Sequence, residues 1–131
     1  MSDVTAKLSA LPDFHALAGA SEEQIAQAEQ ALSLRFAEDY RQYVRAFSVA
    51  SAAGHELTGI CASKRLNVVE VTLAQRSIFP ALPSHWYVLE EANIDGIVLW
   101  QNAAGEVYQA QPGVLPEKLA GSICEYLDLC Q

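Results

Sequence analysis

The chain reads as an α+β fold, with N-terminal helices and a C-terminal helix packed on a mainly antiparallel sheet. Three observations carry this reading. Helix and strand patterns run mainly as helices, then a strand run from Trp86, then a closing helix, an order that indicates α+β rather than an alternating parallel sheet. The strand region is punctuated by Asn93-Ile94-Asp95-Gly96 and by Asn102 to Gly105, turn sequences of the kind that join antiparallel neighbours. A length of 131 residues at 51% hydrophobic content suits a single domain, residues 1–131, with one core.

In chain order, Asp3 to Leu11 predicts a short helix with Val4, Leu8 and Leu11 on one side, disrupted by Pro12. Phe14 and Leu17 lead through Gly19 to Ser21. Ser21 with Gln24 three positions on is a capping box, and Glu22 and Glu23 favour the first turn through the helix dipole. Ile25, Ala28 and Leu32 recur at helical spacing. Leu34 and Phe36 mark an apolar joint, and a second helix starts near Ala37. Its Tyr40, Tyr43, Val44 and Phe47 form an i, i+3, i+4, i+7 stripe. Arg35 stands at i+4 spacing from Asp39 as an expected surface pair.

SVASAAG, ending at Gly54, reads as a small-residue loop, and His55 to Cys61 as a short strand weakened by Gly59. Asn67 to Ile78 is ambiguous: VVEVT has strand composition, whereas Asn67 with Glu70 is a capping-type start. Helix is taken here, partly for the resemblance given below. Pro80 and Pro83 end it. Trp86 to Glu91, Ile97 to Gln101 and Val107 to Ala110 form a predicted three-stranded meander, broken by Pro112-Gly113. Pro116 to Leu129 reads as a closing helix with Leu119, Ile123, Tyr126, Leu127 and Cys130 on one face.

The formal net charge is −8, with only eight Lys and Arg. That disfavours nucleic acid, which demands a basic patch, and an anionic membrane surface likewise. It favours encounter with a basic protein, although acidity also serves plain solubility. No apolar run approaches the roughly 18 residues of a membrane span. The N-terminus lacks the basic region and apolar core of a signal peptide, so a cytoplasmic location is expected. Cys61, Cys124 and Cys130 are odd in number with no C-x-x-C, so reduced, mostly buried thiols are expected rather than a disulfide framework.

Catalytic templates fail one by one. There is no P-loop and no G-x-G-x-x-G after a strand. Gly121-Ser122 lacks the first glycine and the preceding strand of a nucleophile elbow, so Ser122 reads as a small helix residue. His15, His55 and His85 are isolated, and no two His or Cys stand at metal-ligand spacing. Glu90 and Glu91, as adjacent strand residues, point to opposite faces and make no dyad, and Asp95 is explained by its turn. No catalytic residue, metal or cofactor is therefore expected. Trp100 shares a strand face with Val98 and is either a core residue or an exposed contact residue.

Ile25 through Glu29 (IAQAE), Leu32, Leu34, Asp39-Tyr40 and Tyr43-Val44, followed by Trp86 to Leu89, Asp95-Gly96, Leu99 and Gly105 to Tyr108 (GEVY), resemble the SMI1/KNR4 pattern of the SUKH superfamily. That pattern is an I-x-x-x-E helix, a leucine, and a D-Y opening a second helix, with a meander and a final helix to follow. Ala37 stands near the place where the pattern often has Pro, and SVASAAG replaces its usual N-G-G. The resemblance implies a non-enzymatic α+β domain. It further implies a bacterial immunity protein, which binds a cognate toxin and occludes its active surface, or alternatively a regulatory or scaffolding interaction module. The toxin would be a basic nuclease or similar nucleic-acid-targeting effector. The resemblance carries no contact residues with it. From charge and turn position, the expected partner-binding residues are Glu56, Glu90, Glu91, Asp95, Trp100 and Glu106.

Overall fold

A computed structural model describes residues 3–129. In chain order the elements are α1 (Val4–Ser9), β1 (His15–Ala16), α2 (Glu22–Leu32), α3 (Glu38–Phe47), β2 (Ala50–Ala52), β3 (His55–Glu56), α4 (Val68–Ile78), β4 (Tyr87–Glu91), β5 (Val98–Gln101), β6 (Val107–Gln111), β7 (Val114–Ala120) and α5 (Ile123–Leu129). Two antiparallel sheets result, β1-β2-β3 and β4-β5-β6-β7. The α+β class follows as expected.

The N-terminal helices form for local reasons. The Ser21 hydroxyl accepts from the Gln24 amide at 3.1 Å, and the Ser21 amide donates to Gln24 Oε1 at 2.9 Å, closing the capping box. Asn67 caps α4 through its side-chain oxygen, which accepts from the Val69 and Glu70 amides. The helical reading of that segment therefore holds over its strand-like composition, because the cap and the burial of Val68, Val71 and Thr72 outweigh β propensity.

The main core lies between the helices and one face of the four-stranded sheet. Val4, Leu8, Ile25, Leu32, Tyr40, Tyr43, Val44, Ile123 and Leu127 pack with Tyr87, Leu89, Leu99 and Val107. The rings of Phe36, Tyr40 and Tyr87 meet at centroid distances of 4.8 to 5.0 Å, where burial of each side chain contributes roughly 1.5–3 kcal/mol. The other face of this sheet is covered too. Val88, Val98, Trp100 and Ala110 pack there under Val71 and Trp86, with Phe79, Leu82 and Tyr108 at the margin. Trp86 stacks on Tyr108 at 4.2 Å, and Phe79 meets Trp100 edge-on at 6.0 Å.

Several expectations are corrected. The SVASAAG segment holds β2, paired with β1 and β3, and the expected strand from His55 is short. It narrows at Gly59 because the chain crosses the C-terminus of α3 there: Ile60 donates to the Ser48 carbonyl at 2.8 Å, and a Cβ on Gly59 would overlap that same carbonyl.

The largest correction is the closing helix. Residues 114–120 form strand β7, because Pro112-Gly113 makes a hairpin turn that pairs Gln111 with Val114 and Gly113 supplies a positive φ of 79°. Pro116 is tolerated because β7 is an edge strand, where a missing N–H costs no ladder bond. The helix proper begins after Ser122, whose hydroxyl accepts from the Glu125 amide at 3.1 Å. That S-x-x-E start was visible in the sequence and is the signal that marks the true boundary. Ser122 is thus a cap rather than an interior helix residue. Of the face expected on that helix, Ile123, Tyr126 and Leu127 are buried, Leu119 belongs to β7, and Cys130 lies outside the described residues. Cys61 is a free thiol, and both Cys61 and Cys124 are half-buried.

Candidate functional site

The six residues expected to meet a partner do not share one surface. Glu90 is buried at 5% exposure. A register shift between Val88 and Glu90 lets both Leu89 and Glu90 serve the helix side of the sheet, so simple alternation fails at this position. Glu90 Oε1 accepts from Tyr126 Oη at 2.6 Å and lies 2.9 Å from His55 Nδ1, while its Oε2 accepts from the Glu56 amide at 2.9 Å. This carboxylate ties β3, β4 and α5 together. The bond to Glu90 holds the His55 imidazolium above the ordinary histidine range, against the opposing effect of burial.

Trp100 is 1% exposed, so the reading of an exposed contact tryptophan is overturned. Its ring fills the second cluster because the loop carrying Phe79, Leu82 and Trp86 covers that face. Glu56 is half-buried, and Arg65 holds both of its carboxylate oxygens at 3.0 and 2.9 Å. Glu106 is half-buried between Asn102 Nδ2 and Lys118 Nζ, each at 2.9 Å, and these two bonds keep its carboxyl below the usual range. Glu91 is half-buried and accepts from Gln75 Nε2 at 2.6 Å. Asp95 is exposed in the β4–β5 turn. The turns bearing Asp95 and Glu106 lie at opposite ends of β5, so of the six only Glu91 and Asp95 share an end with a displayed carboxylate.

A second buried polar group went unrecognised in the sequence. Asp39 was expected to pair with Arg35 on the surface. It turns inward instead: Oδ1 accepts from Gln101 Nε2 at 3.0 Å and Oδ2 from the Ile123 amide at 2.8 Å. Asp39 thus caps α5 from another helix. Burial pushes its carboxyl above the usual range, against the pull of those two bonds. The network continues as Gln101 Nε2 donates to the Gly105 carbonyl, Tyr87 Oη donates to Gln101 Oε1 at 2.6 Å, and the Ala37 amide donates to Tyr87 Oη at 3.0 Å. Ala37 here uses an N–H that a proline lacks. On the neighbouring surface Arg41 pairs with Glu29 and Arg45 with Glu22.

Residues of the family pattern are therefore among those that lock the fold: Ile25 and Glu29 of α2, Asp39-Tyr40, the β4 run and GEVY. The SUKH_5 model, described as SMI1-KNR4 cell-wall, matches residues 1–129. The chain belongs to the SMI1/KNR4 family. No curated protein matches it. Among the described residues no group of three or more His, Cys, Asp or Glu is placed to hold a metal ion. No helix there is long and apolar enough to cross a membrane. His15 and His85 are both exposed. SMI1/KNR4 domains of the SUKH type are commonly immunity proteins and are in general non-catalytic interaction modules.

Proposed function

We propose that this chain is a cytoplasmic immunity protein that binds and neutralises a cognate toxin by covering the toxin's active surface. Family membership across residues 1–129 carries the reading. The charge balance supports it. Five of the eight Lys and Arg are spent in internal ion pairs, and the formal charge of −8 gives the surface an excess of carboxylates. Such a surface attracts a basic partner and speeds the encounter. The toxin class that fits is a basic, nucleic-acid-targeting effector such as a nuclease, which the chain would inhibit without turnover.

Co-expression with a candidate toxin tests this directly. Growth rescue together with a co-purifying complex that weakens at high salt is the expected result. Lack of both rescue and complex removes the reading for that pair. The second reading, a regulatory or scaffolding module, draws on the cell-wall wording of the family description. A native pull-down recovering several weak partners with no dominant basic protein would favour it.

A further inference from the structure

One end of the four-stranded sheet differs from the rest of the surface. The C-terminus of α4, the β4–β5 turn and the β6–β7 turn converge there around a groove of about 190 Å³, with Ile78, Phe79, Ile97, Val98 and Pro112 among its lining residues. The two turns are fastened together: Gln111 Nε2 donates to the Asp95 carbonyl at 3.1 Å, and Gly96 lies so close to the Pro112 ring that a Cβ would come within 3.3 Å of it. Of the seven exposed large apolar side chains among the described residues, Ile78 lines the groove, Ile94 sits in the β4–β5 turn, and Val114 and Leu115 open β7 next to the β6–β7 turn, Leu115 at 88% exposure. Scattered singly, such residues need no explanation, but gathered around a groove they mark a contact surface.

Carboxylates predominate at this end, with Arg65, held by Glu56, the cation that feels Glu91. Glu91 lines the groove and Asp95 stands between two lining residues, Asn93 and Gly96. No Lys or Arg lines it. The nearest cation of α4, Arg76, is turned away and donates to the carbonyls of Leu32 and Ser84. Glu91 uses one oxygen toward Gln75, and the Asp95 side chain has no bond within the described residues. An apolar groove with one carboxylate on its wall and a second exposed in the adjoining turn fits an apolar anchor flanked by cations, the composition of an interface hot spot with its polar rim.

We propose that this groove seats a segment of a basic protein partner that presents an aliphatic or aromatic side chain between Arg or Lys residues. The assignment rests on the immunity-protein reading and names the surface that would meet the toxin. Phe79 forms part of the groove wall and packs on Trp100, so occupancy is also expected to alter tryptophan emission.

The test uses a synthetic capped peptide carrying Arg-Phe-Arg, titrated into the isotope-labelled chain while amide resonances are followed, with Glu-Phe-Glu and Gly-Phe-Gly peptides as controls. Saturable shifts confined to residues 75–79, 91–98 and 112–115, with the Arg-Phe-Arg peptide alone, are expected. The double variant Glu91→Gln, Asp95→Asn should weaken binding by about fivefold through lost charge complementarity, and Ile94→Ser should weaken it through the lost apolar contact. Glu23→Gln on α2 should leave it unchanged. Absent or dispersed shifts, equal binding by the acidic peptide, or insensitivity to the double variant would overturn the proposal. So would concentration-dependent shifts at the same amides without peptide, which would show a second copy as the occupant. The two readings fail separately. Peptide binding at the groove without toxin rescue removes the immunity reading and keeps the groove. Rescue undiminished by the double variant removes the groove as the toxin's seat and keeps the immunity reading.

Discussion

At one end of β5 the turn from Asn102 to Gly105 is tied into the molecule; at the other end the turn from Asn93 to Gly96 stands open. Both open on Asn and close on Gly, with an acidic group in or beside the turn. At the tied end Asn102 and Glu106 bond each other three times, Lys118 reaches Glu106, and the Gly105 carbonyl accepts from Gln101. Asp39 joins this end to α3 and α5. At the open end Asn93, Ile94 and Asp95 are exposed, and Asn93 and Asp95 hold positive φ angles of 59° and 53°. Similar turn chemistry therefore serves closure where side-chain donors reach the carboxylate, as Asn102 and Lys118 reach Glu106, and display where none does. A carboxylate's role is set by which donors arrive at it.

The contrast is broken or sharpened by stability measurements. The largest effect is expected from Glu90→Ala. It strands the Tyr126 hydroxyl, the Glu56 amide and the His55 ring around a buried gap, and should cost about 3–5 kcal/mol in urea unfolding. Asp39→Ala leaves the Ile123 amide and Gln101 Nε2 unsatisfied, with an expected cost of about 2–4 kcal/mol.

A pH series follows in size. The folded-state pKa of His55 lies above its ordinary 6.5. The His55–Glu90 contribution is therefore full below about pH 6.5 and fades as pH rises through the folded value. The stability lost in His55→Gln should be greater at about pH 5.5 than at about pH 8.5; equal losses would show that the imidazolium has no part in the pair. The smallest effect belongs to the open turn, where Asp95→Asn and Ile94→Ser should each stay within about 0.5 kcal/mol. If the open-turn variants proved as costly as Asp39→Ala, the distinction between the two ends would fall.

The legible parts of the fold were those written in a few neighbouring residues. Ser21 with Gln24, the Tyr40-Tyr43-Val44 stripe, Asn67 with Glu70 and the Asp95-Gly96 turn each yielded an element in the right place. The stretch from Pro116 to Leu129 carries a local helix start at Ser122 and Glu125, masked by an apolar periodicity that runs across the strand–helix junction. The candidate site was less legible. A contact list drawn from charge placed Glu90 beside Asp95, because the bulge that turns Glu90 inward and the partners that hold it are non-local.

By itself the sequence determined the family, the α+β class, the helix caps and the meander, since capping, turn formation and periodicity act over three or four residues of chain. Only the tertiary structure decided that Trp100 is core, that Glu90 and Asp39 are internal ties, and that Asp95 stays exposed. Those outcomes depend on groups that arrive from far along the chain, as the Ile123 amide does for Asp39 across 84 positions. Burial of a carboxylate persists only where such donors replace water.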